Sequence, residues 1–307
     1  MRVAVMGAGA LGGYFGGRLA TAGHEVTLIA RGTHLDALRR NGLTIRSPKG
    51  DAHIPDIEAT DDPGDVGPVD VIIFAVKNQD VDASAKALVP VLGRDTWAIT
   101  VQNGVRAPER LAEILGNERV VPGVVRMPGD ISAPGVIRHS ANFDFIHFGE
   151  LDGQVTERVK GFRDALVEAG CMAEISTDIR TELWRKFTMQ ASFASVSALT
   201  RLDVGVIRES SECSSMFHSS MKETAAVAQA VLPDLGEDLS TAAWDFIQKV
   251  PPKAHASMLD DLNRGKPIEI DYLSGEVVRL GRKHGVPTPI HGFFLASLAP
   301  FRYGAPG

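Results

Sequence analysis

An α/β doubly wound sheet at the N-terminus, followed by an all-α C-terminal domain, is the fold the sequence predicts. Three observations carry it. Short β-branched apolar runs alternate with helical periodicity from the first residues onward. A glycine cluster joins the first run to the first helix. Past residue 178 strand signal almost vanishes. Alternating strands and helices imply parallel pairing, with helices covering the sheet.

Taken in order, residues 2–6 (RVAVM) form a first strand, and Leu11, Phe15 and Leu19 mark the helix after the glycines. Gly23 closes that helix, and residues 25–30 (EVTLIA) form a second strand. Two further apolar runs, 69–76 and 97–101, flank a helical stretch with Val81, Ala85 and Leu88. Residues 120–127 and 136–149 read as antiparallel additions at one edge of the sheet, the second broken near Ser140. A helix over 155–169 and a short strand over 172–175 complete a domain of residues 1–177. Helical periodicity then dominates 181–199, 217–232, 240–249, 253–263, 268–284 and 290–300, giving a helical domain of residues 178–307. The serine-rich stretch 210–220 reads as a loop and a helix start.

The glycine cluster has chemical content. Gly7, Ala8, Gly9, Ala10, Leu11 and Gly12 make a G-x-G-x-x-G that follows a strand and opens a helix, the dinucleotide fingerprint of a Rossmann-type domain. Gly7 permits the tight turn, Gly9 lets backbone approach a pyrophosphate, and Gly12 allows close helix–sheet packing. The helix N-terminus carries partial positive charge suited to phosphate. At the end of the second strand, where an NAD site places Asp or Glu against the ribose hydroxyl, the chain has Ala30-Arg31-Gly32. A guanidinium suits a 2′-phosphate, so NADP(H) is the expected cofactor. His34 reads as a surface residue. Lys77 and Asn103 each follow a strand and stand at the carboxyl edge where such sheets bind ligands. Lys77 suits a phosphate, a ribose hydroxyl or a carboxylate; Asn103 suits orientation of nicotinamide and substrate.

In the helical half, Lys186 and Gln190 share a helix face by their spacing of four. A second cluster runs from Ser257 to Asp261 and on to Tyr272. Pro267 there is expected to open a helix whose first turn holds Glu269 and Asp271.

Composition narrows the alternatives. The chain has 307 residues with 32 basic and 38 acidic side chains, a formal charge of −6, which gives no footprint for nucleic acid. No run reaches the roughly 18 apolar residues a membrane helix requires, and the glycines interrupt any signal-peptide core, so the expected location is the cytoplasm. Cys171 and Cys213 match no metal or redox spacing. The nine histidines form no H-E-x-x-H, with His139 and His147 expected to be structural, so no metal is expected. Neither a G-x-S-x-G nor a P-loop motif occurs, which removes hydrolase and P-loop kinase readings. The apolar faces of the C-terminal helices are a candidate homodimer interface.

Together, GAGALGG at 7–13, AVK at 75–77, QNG at 102–104, PGVIRH at 134–139, ELWRK at 182–186, SML at 257–259 and EIDYLSG at 269–275 resemble the ketopantoate reductases, also called 2-dehydropantoate 2-reductases. ELWRK and EIDY are the specific motifs. The resemblance implies a Rossmann domain and a helical domain with NADPH in the cleft between them, reducing ketopantoate to pantoate in pantothenate biosynthesis. It implies Lys186 as general acid and Glu269 as the carboxylate that binds the substrate hydroxyl. It likewise implies Asn103 as the contact to nicotinamide and substrate, Lys77 as a cofactor contact, Arg31 as the 2′-phosphate ligand and Ser257 as the holder of the substrate carboxylate.

The chain departs from the family at Gln190, Ala194 and Ser195, where an asparagine and then an Asn-Pro pair are usual, and at Ala254, where asparagine can stand. Lost amides in a substrate pocket redirect specificity. The departures leave open another 2-oxo acid or ketone as substrate, or an NADP(H)-binding sensor without turnover. Lys186 and Glu269 argue against the sensor, which needs neither.

Overall fold

A computed structural model describes residues 1–306. They form two compact units: Met1–Gln102 with Ala107–Ile179, and Asn103–Arg106 with the chain from Arg180 onward.

The first unit opens with β1 (Arg2–Met6), α1 (Ala10–Thr21), β2 (Glu25–Ile29), α2 (Gly32–Asn41), β3 (Leu43–Arg46), β4 (Ala52–Ile54) and β5 (Glu58–Thr60). It continues with β6 (Val71–Phe74), α3 (Val81–Leu88), β7 (Trp97–Thr100), α4 (Ala107–Leu115), β8 (Val120–Arg126), β9 (Gly129–Ala133) and β10 (Val136–His139), and ends with β11 (Phe145–Phe148), α5 (Glu157–Glu168) and β12 (Ala173–Ile175). The main sheet has eight strands in the order β12-β11-β8-β7-β6-β1-β2-β5. All its pairs are parallel except β11 with β8. β6 and β7 are buried throughout, as parallel strands covered on both faces must be. Alternation along β1 and β6 sends Val3, Val5, Val71 and Ile73 into one core with Phe15, Leu19, Phe162 and Leu166 of α1 and α5. The intervening Ala4, Met6, Ile72 and Phe74 join Val81, Leu88 and Leu111 of α3 and α4 on the opposite face.

A second sheet of four strands, β4-β3-β10-β9, was not expected from the sequence. Helix α1 runs between the two sheets, and its glycines set both distances. A Cβ on Gly16 would lie 2.7 Å from Val5 of the main sheet, and one on Gly17 would lie 2.6 Å from Leu43 of the small one. The expected edge addition at 136–149 is therefore half corrected. β11 does extend the main sheet antiparallel to β8, but β8 itself, expected as antiparallel over 120–127, runs parallel to β7, and Val136–His139 pairs with β3 and β9 in the small sheet. Its partner β3 lies in 32–60, where α2 and the strands β3, β4 and β5 went unread because each strand is only three or four residues long. Buried Asp144 helps join these layers, accepting hydrogen bonds from Tyr14 of α1, Lys49 and the Met172 N–H. Burial opposes its ionisation, yet these donors hold its pKa below the usual value.

The second unit is helical: α6 (Ile179–Thr200), α7 (Val204–Glu209), α8 (Ser211–Val231), α9 (Leu239–Lys249), α10 (Ser257–Asn263), α11 (Ser274–His284) and α12 (Pro289–Leu298). α6 is its axis. Trp184, Phe187, Ala191, Ala194 and Ala198 enter one core, and Val196 enters another with Phe217, Met221 and Phe294. Residues 211–220, expected as loop and helix start, are helical throughout, because Ser210 caps α8 by accepting from the Cys213 N–H at 3.3 Å. Pro267 does not open a helix. A 3₁₀ turn covers Ile270–Tyr272, and α11 begins only at Ser274, after Leu273 leaves helical geometry at φ −107°, ψ −97°. No described helix is long and apolar enough to cross a membrane.

Candidate active site

The glycine-rich loop leaves β1 at the carboxyl edge of the main sheet. Gly7 adopts φ 99°, a left-handed conformation that glycine alone tolerates well. The N–H groups of Gly7 and Ala8 donate to the Ile29 carbonyl at 3.2 and 3.1 Å, fixing the turn to the end of β2. A Cβ on Gly12 would lie 2.2 Å from the Gly7 carbonyl oxygen, so the residue must be glycine for α1 to start where it does. Gly9 differs. Nothing lies within 4 Å of where its Cβ would be, it gives α1 no side-chain cap, and the first turn, with Ala10 and Leu11 partly exposed, holds no acidic residue. The helix thus presents its unpaired first N–H groups at an open, uncapped end, the arrangement that accepts a phosphate.

Arg31 stands exposed two residues beyond β2, at the N-cap of α2, on the same edge as the loop. His34 is not a plain surface residue. Its Nδ1 accepts from the Gly135 N–H at 3.1 Å, and burial lowers its pKa against a backbone contact from Ala8, so it braces α2 on the β9–β10 turn. Lys77 is exposed and follows β6 by three residues, heading the 3₁₀ turn Asn78–Asp80. Gln102 was missed as a site-building residue. It is buried, and its Nε2 donates to the carbonyls of Phe74 and Val76 at 2.7 and 3.2 Å, which locks the ends of β6 and β7 together beside Lys77. The signal was present in the QNG motif, whose amide is too polar to be buried without such partners.

In the second unit, Lys186 of α6 donates from Nζ to Asn103 Oδ1 at 3.1 Å. These residues lie 83 positions apart, and only folding brings them together. The three residues after Asn103 anchor it. Gly104, at φ 93°, packs so tightly on the chain that a Cβ would sit 3.0 Å from the Tyr272 carbonyl. Val105 packs on the helical core, and Arg106 pairs with buried Glu276 at 3.9 Å. The same Tyr272 closes the turn that begins at Glu269, whose carbonyl accepts from the N–H groups of Tyr272 and Leu273 at 3.0 and 3.1 Å. Glu269 is itself buried, 7% exposed. It therefore sits in this turn and not in the first turn of the helix that the sequence predicted to open at Pro267. Asp271 pairs with Arg302 at 3.2 Å.

Gln190 lies one turn beyond Lys186, and its Oε1 is buried without a hydrogen-bond partner. Ala194, a further turn on, is buried in the core. Ser257 is exposed at the first turn of α10. The structure thus brings Lys186, Asn103 and the Glu269 turn together. Both cysteines are free thiols, and burial pushes that of Cys171 up to about 12. His139 bonds Ser47 and the Phe143 carbonyl, each at 2.9 Å.

Comparison with known proteins places this arrangement. Residues 3–153 match the family described as ketopantoate reductase PanE/ApbA, and residues 178–301 match its C-terminal counterpart. A 2-dehydropantoate 2-reductase of Mesorhizobium japonicum is 32% identical, with 96% of each chain covered. A crystal structure of a PanE/ApbA family ketopantoate reductase from Ralstonia eutropha JMP134 superposes with a TM-score of 0.90 at 32% identity over 98% of each chain. A D-mandelate dehydrogenase, solved with NADH and anilino(oxo)acetate, shares the fold at a TM-score of 0.89 and 22% identity, covering 98% of each chain. The fold and these relatives define an oxidoreductase acting on a CH–OH group. Both halves of the chain are accounted for by one family, and the protein belongs to the ketopantoate reductases.

Proposed function

We propose that the protein reduces the ketone of a 2-oxo acid with NADPH, converting 2-dehydropantoate to pantoate. The observation that carries this reading is the Lys186–Asn103 hydrogen bond at 3.1 Å, which fixes an ammonium and an amide side by side. Reduction of a ketone builds negative charge on its oxygen, and an ammonium there both stabilises the charge and delivers the proton. Lys186 is the general acid. Asn103 orients the Nζ through its Oδ1 and contacts nicotinamide and substrate. Glu269 takes the substrate hydroxyl as a hydrogen-bond donor, and Ser257 takes the substrate carboxylate.

The first unit fits the cofactor by its uncapped α1 terminus and the open space at Gly9. Gly7, Ala8, Gly9, Ala10, Leu11 and Gly12 would hold the pyrophosphate, Arg31 the 2′-phosphate and Lys77 a phosphate or ribose oxygen. A bound NADPH supplies the hydride from nicotinamide C4. The absence of a carboxylate at the end of β2 favours the phosphorylated cofactor over NADH, since nothing there repels the 2′-phosphate. In this reading residues 1–177 are the NADP-binding domain and 178–307 the substrate domain. Self-association belongs to the helical domain, where Phe293 and Phe246 are 57% and 44% exposed.

One observation favours a second reading of the substrate. Gln190 leaves a buried amide oxygen without a donor, and Ala194 supplies no amide at all, so the pocket is chemically altered and another 2-oxo acid is the alternative. The assay is turnover of 2-dehydropantoate with NADPH by the wild type and by Lys186→Ala. The variant is expected to lose roughly 10²- to 10⁴-fold in kcat. Near-normal turnover would remove Lys186 from the chemistry.

A further inference from the structure

Two residues before Ser257, His255 is bracketed by carboxylates from two elements. Its Nδ1 lies 2.8 Å from Asp203 Oδ1, and its Nε2 lies 3.2 Å from Asp260 Oδ1. Asp203 is the N-cap residue of α7, yet its side chain caps no helix N–H and turns to the imidazole instead. Asp260 lies in the first turn of α10, three residues past Ser257. The segment carrying His255 is also sewn to the start of α7 by backbone. The N–H groups of Val204 and Gly205 donate to the carbonyls of Ala254 and Pro252, both at 2.9 Å, and a Cβ on Gly205 would strike Pro252 at 2.8 Å.

The chemistry of this bracket fixes a protonation state. An ionised carboxylate oxygen only accepts, so two carboxylates require two N–H donors, and only the imidazolium offers both. We propose that protonated His255 is a positioning residue for the substrate end of the reaction, clamping the first turn of α10, and with it Ser257, to the start of α7. This rests on the reading that Ser257 binds the substrate carboxylate. Asp203 facing from α7 and Asp260 from α10 are the charged groups that set the clamp, and both stabilise the protonated ring, whose pKa is raised despite partial burial. The arms are therefore both closed at low pH. When the ring loses its proton, one nitrogen presents a lone pair to a carboxylate and that arm opens. Substrate affinity should fall as pH rises through the histidine's pKa, while cofactor affinity and kcat should not follow it.

The test compares KM for the 2-oxo acid, KM for NADPH and kcat between about pH 5.5 and 9 in the wild type and in His255→Gln, Asp203→Asn and Ser257→Ala, with ring titration of His255 followed by NMR. In the wild type, KM for the acid is expected to rise by about three- to fivefold across the ring's titration, the scale of a partly exposed charged pair. His255→Gln should show the raised KM at every pH with no step. Asp203→Asn should move both the step and the NMR titration to lower pH. A His255→Gln enzyme with the wild-type KM profile overturns the proposal, and if Ser257→Ala still raises KM the Ser257 reading survives that loss. A Ser257→Ala enzyme with unchanged KM overturns that reading, and the positioning role falls with it even if the pH step persists.

Discussion

Replacing His291 tests how the helical unit is held together, and the structure supplies the magnitude. His291 is fully buried, and its hydrogen bonds dictate its tautomer. Nε2 lies 3.0 Å from the Ser220 carbonyl, which only accepts, so Nε2 carries the proton. In the neutral ring Nδ1 then accepts from the Ser274 hydroxyl at 2.9 Å, and Ser274 in turn accepts from Ser195 at 2.6 Å. This chain joins α12, α11 and α6, and complete burial keeps its ring neutral. Burial accordingly pushes the pKa from 6.5 down to about 4, against the opposing contact with the Ser220 carbonyl. A histidine whose folded pKa is depressed contributes stability that is complete above its unfolded pKa and is lost as pH falls toward the folded value. Between pH 6.5 and 4 this group alone should remove about 3 kcal/mol.

His291→Gln keeps an acceptor and a donor but does not titrate. Urea unfolding of both proteins across that pH range cancels the carboxylates common to them, including Glu223, whose pKa burial raises and which accepts from the N–H groups of Ile290 and His291. The wild type should lose about 3 kcal/mol more than the variant on acidification. Parallel curves would refute the neutral buried ring and its lowered pKa.

Two further outcomes follow from the proposed roles. Arg31→Ala should raise KM for NADPH roughly 10-fold or more and leave KM for NADH nearly unchanged, since a charge-assisted hydrogen bond is worth about 1.5–3 kcal/mol and NADH has no 2′-phosphate. Equal effects on both cofactors would detach Arg31 from that phosphate. Glu269→Gln should lower kcat/KM for the 2-oxo acid by about 10-fold or more while sparing KM for NADPH, as loss of a charged acceptor for a substrate hydroxyl requires; a change confined to NADPH would place Glu269 elsewhere.

How much was legible in the sequence depended on the range of the interaction. The β1–α1–β2 unit could be read residue by residue, because strand, glycine turn and helix are set by neighbours within one turn. Val136–His139 could not be placed, since its partner β3 lies some ninety residues earlier and is four residues long. The glycines at 13 and 17 were visible, but that they admit a second sheet against α1 depends on side chains of Leu43, Ile45 and Ile137. At the site, motifs named Lys186 and Asn103, whereas their direct contact depends on Gly104 packing on Tyr272. Glu269 was singled out by its motif but given the wrong local setting, because Pro267 followed by acids reads as a helix start while Leu273 breaks the helix before it forms.

The most direct measurement is the initial rate of cofactor oxidation by the purified protein with 2-dehydropantoate, run with NADPH and with NADH, beside unhydroxylated 2-oxo acids. Fast turnover of 2-dehydropantoate with NADPH is expected, with a marked preference over NADH and poor turnover of acids that lack the hydroxyl assigned to Glu269. Tight NADPH binding without turnover of any 2-oxo acid would contradict the proposed function.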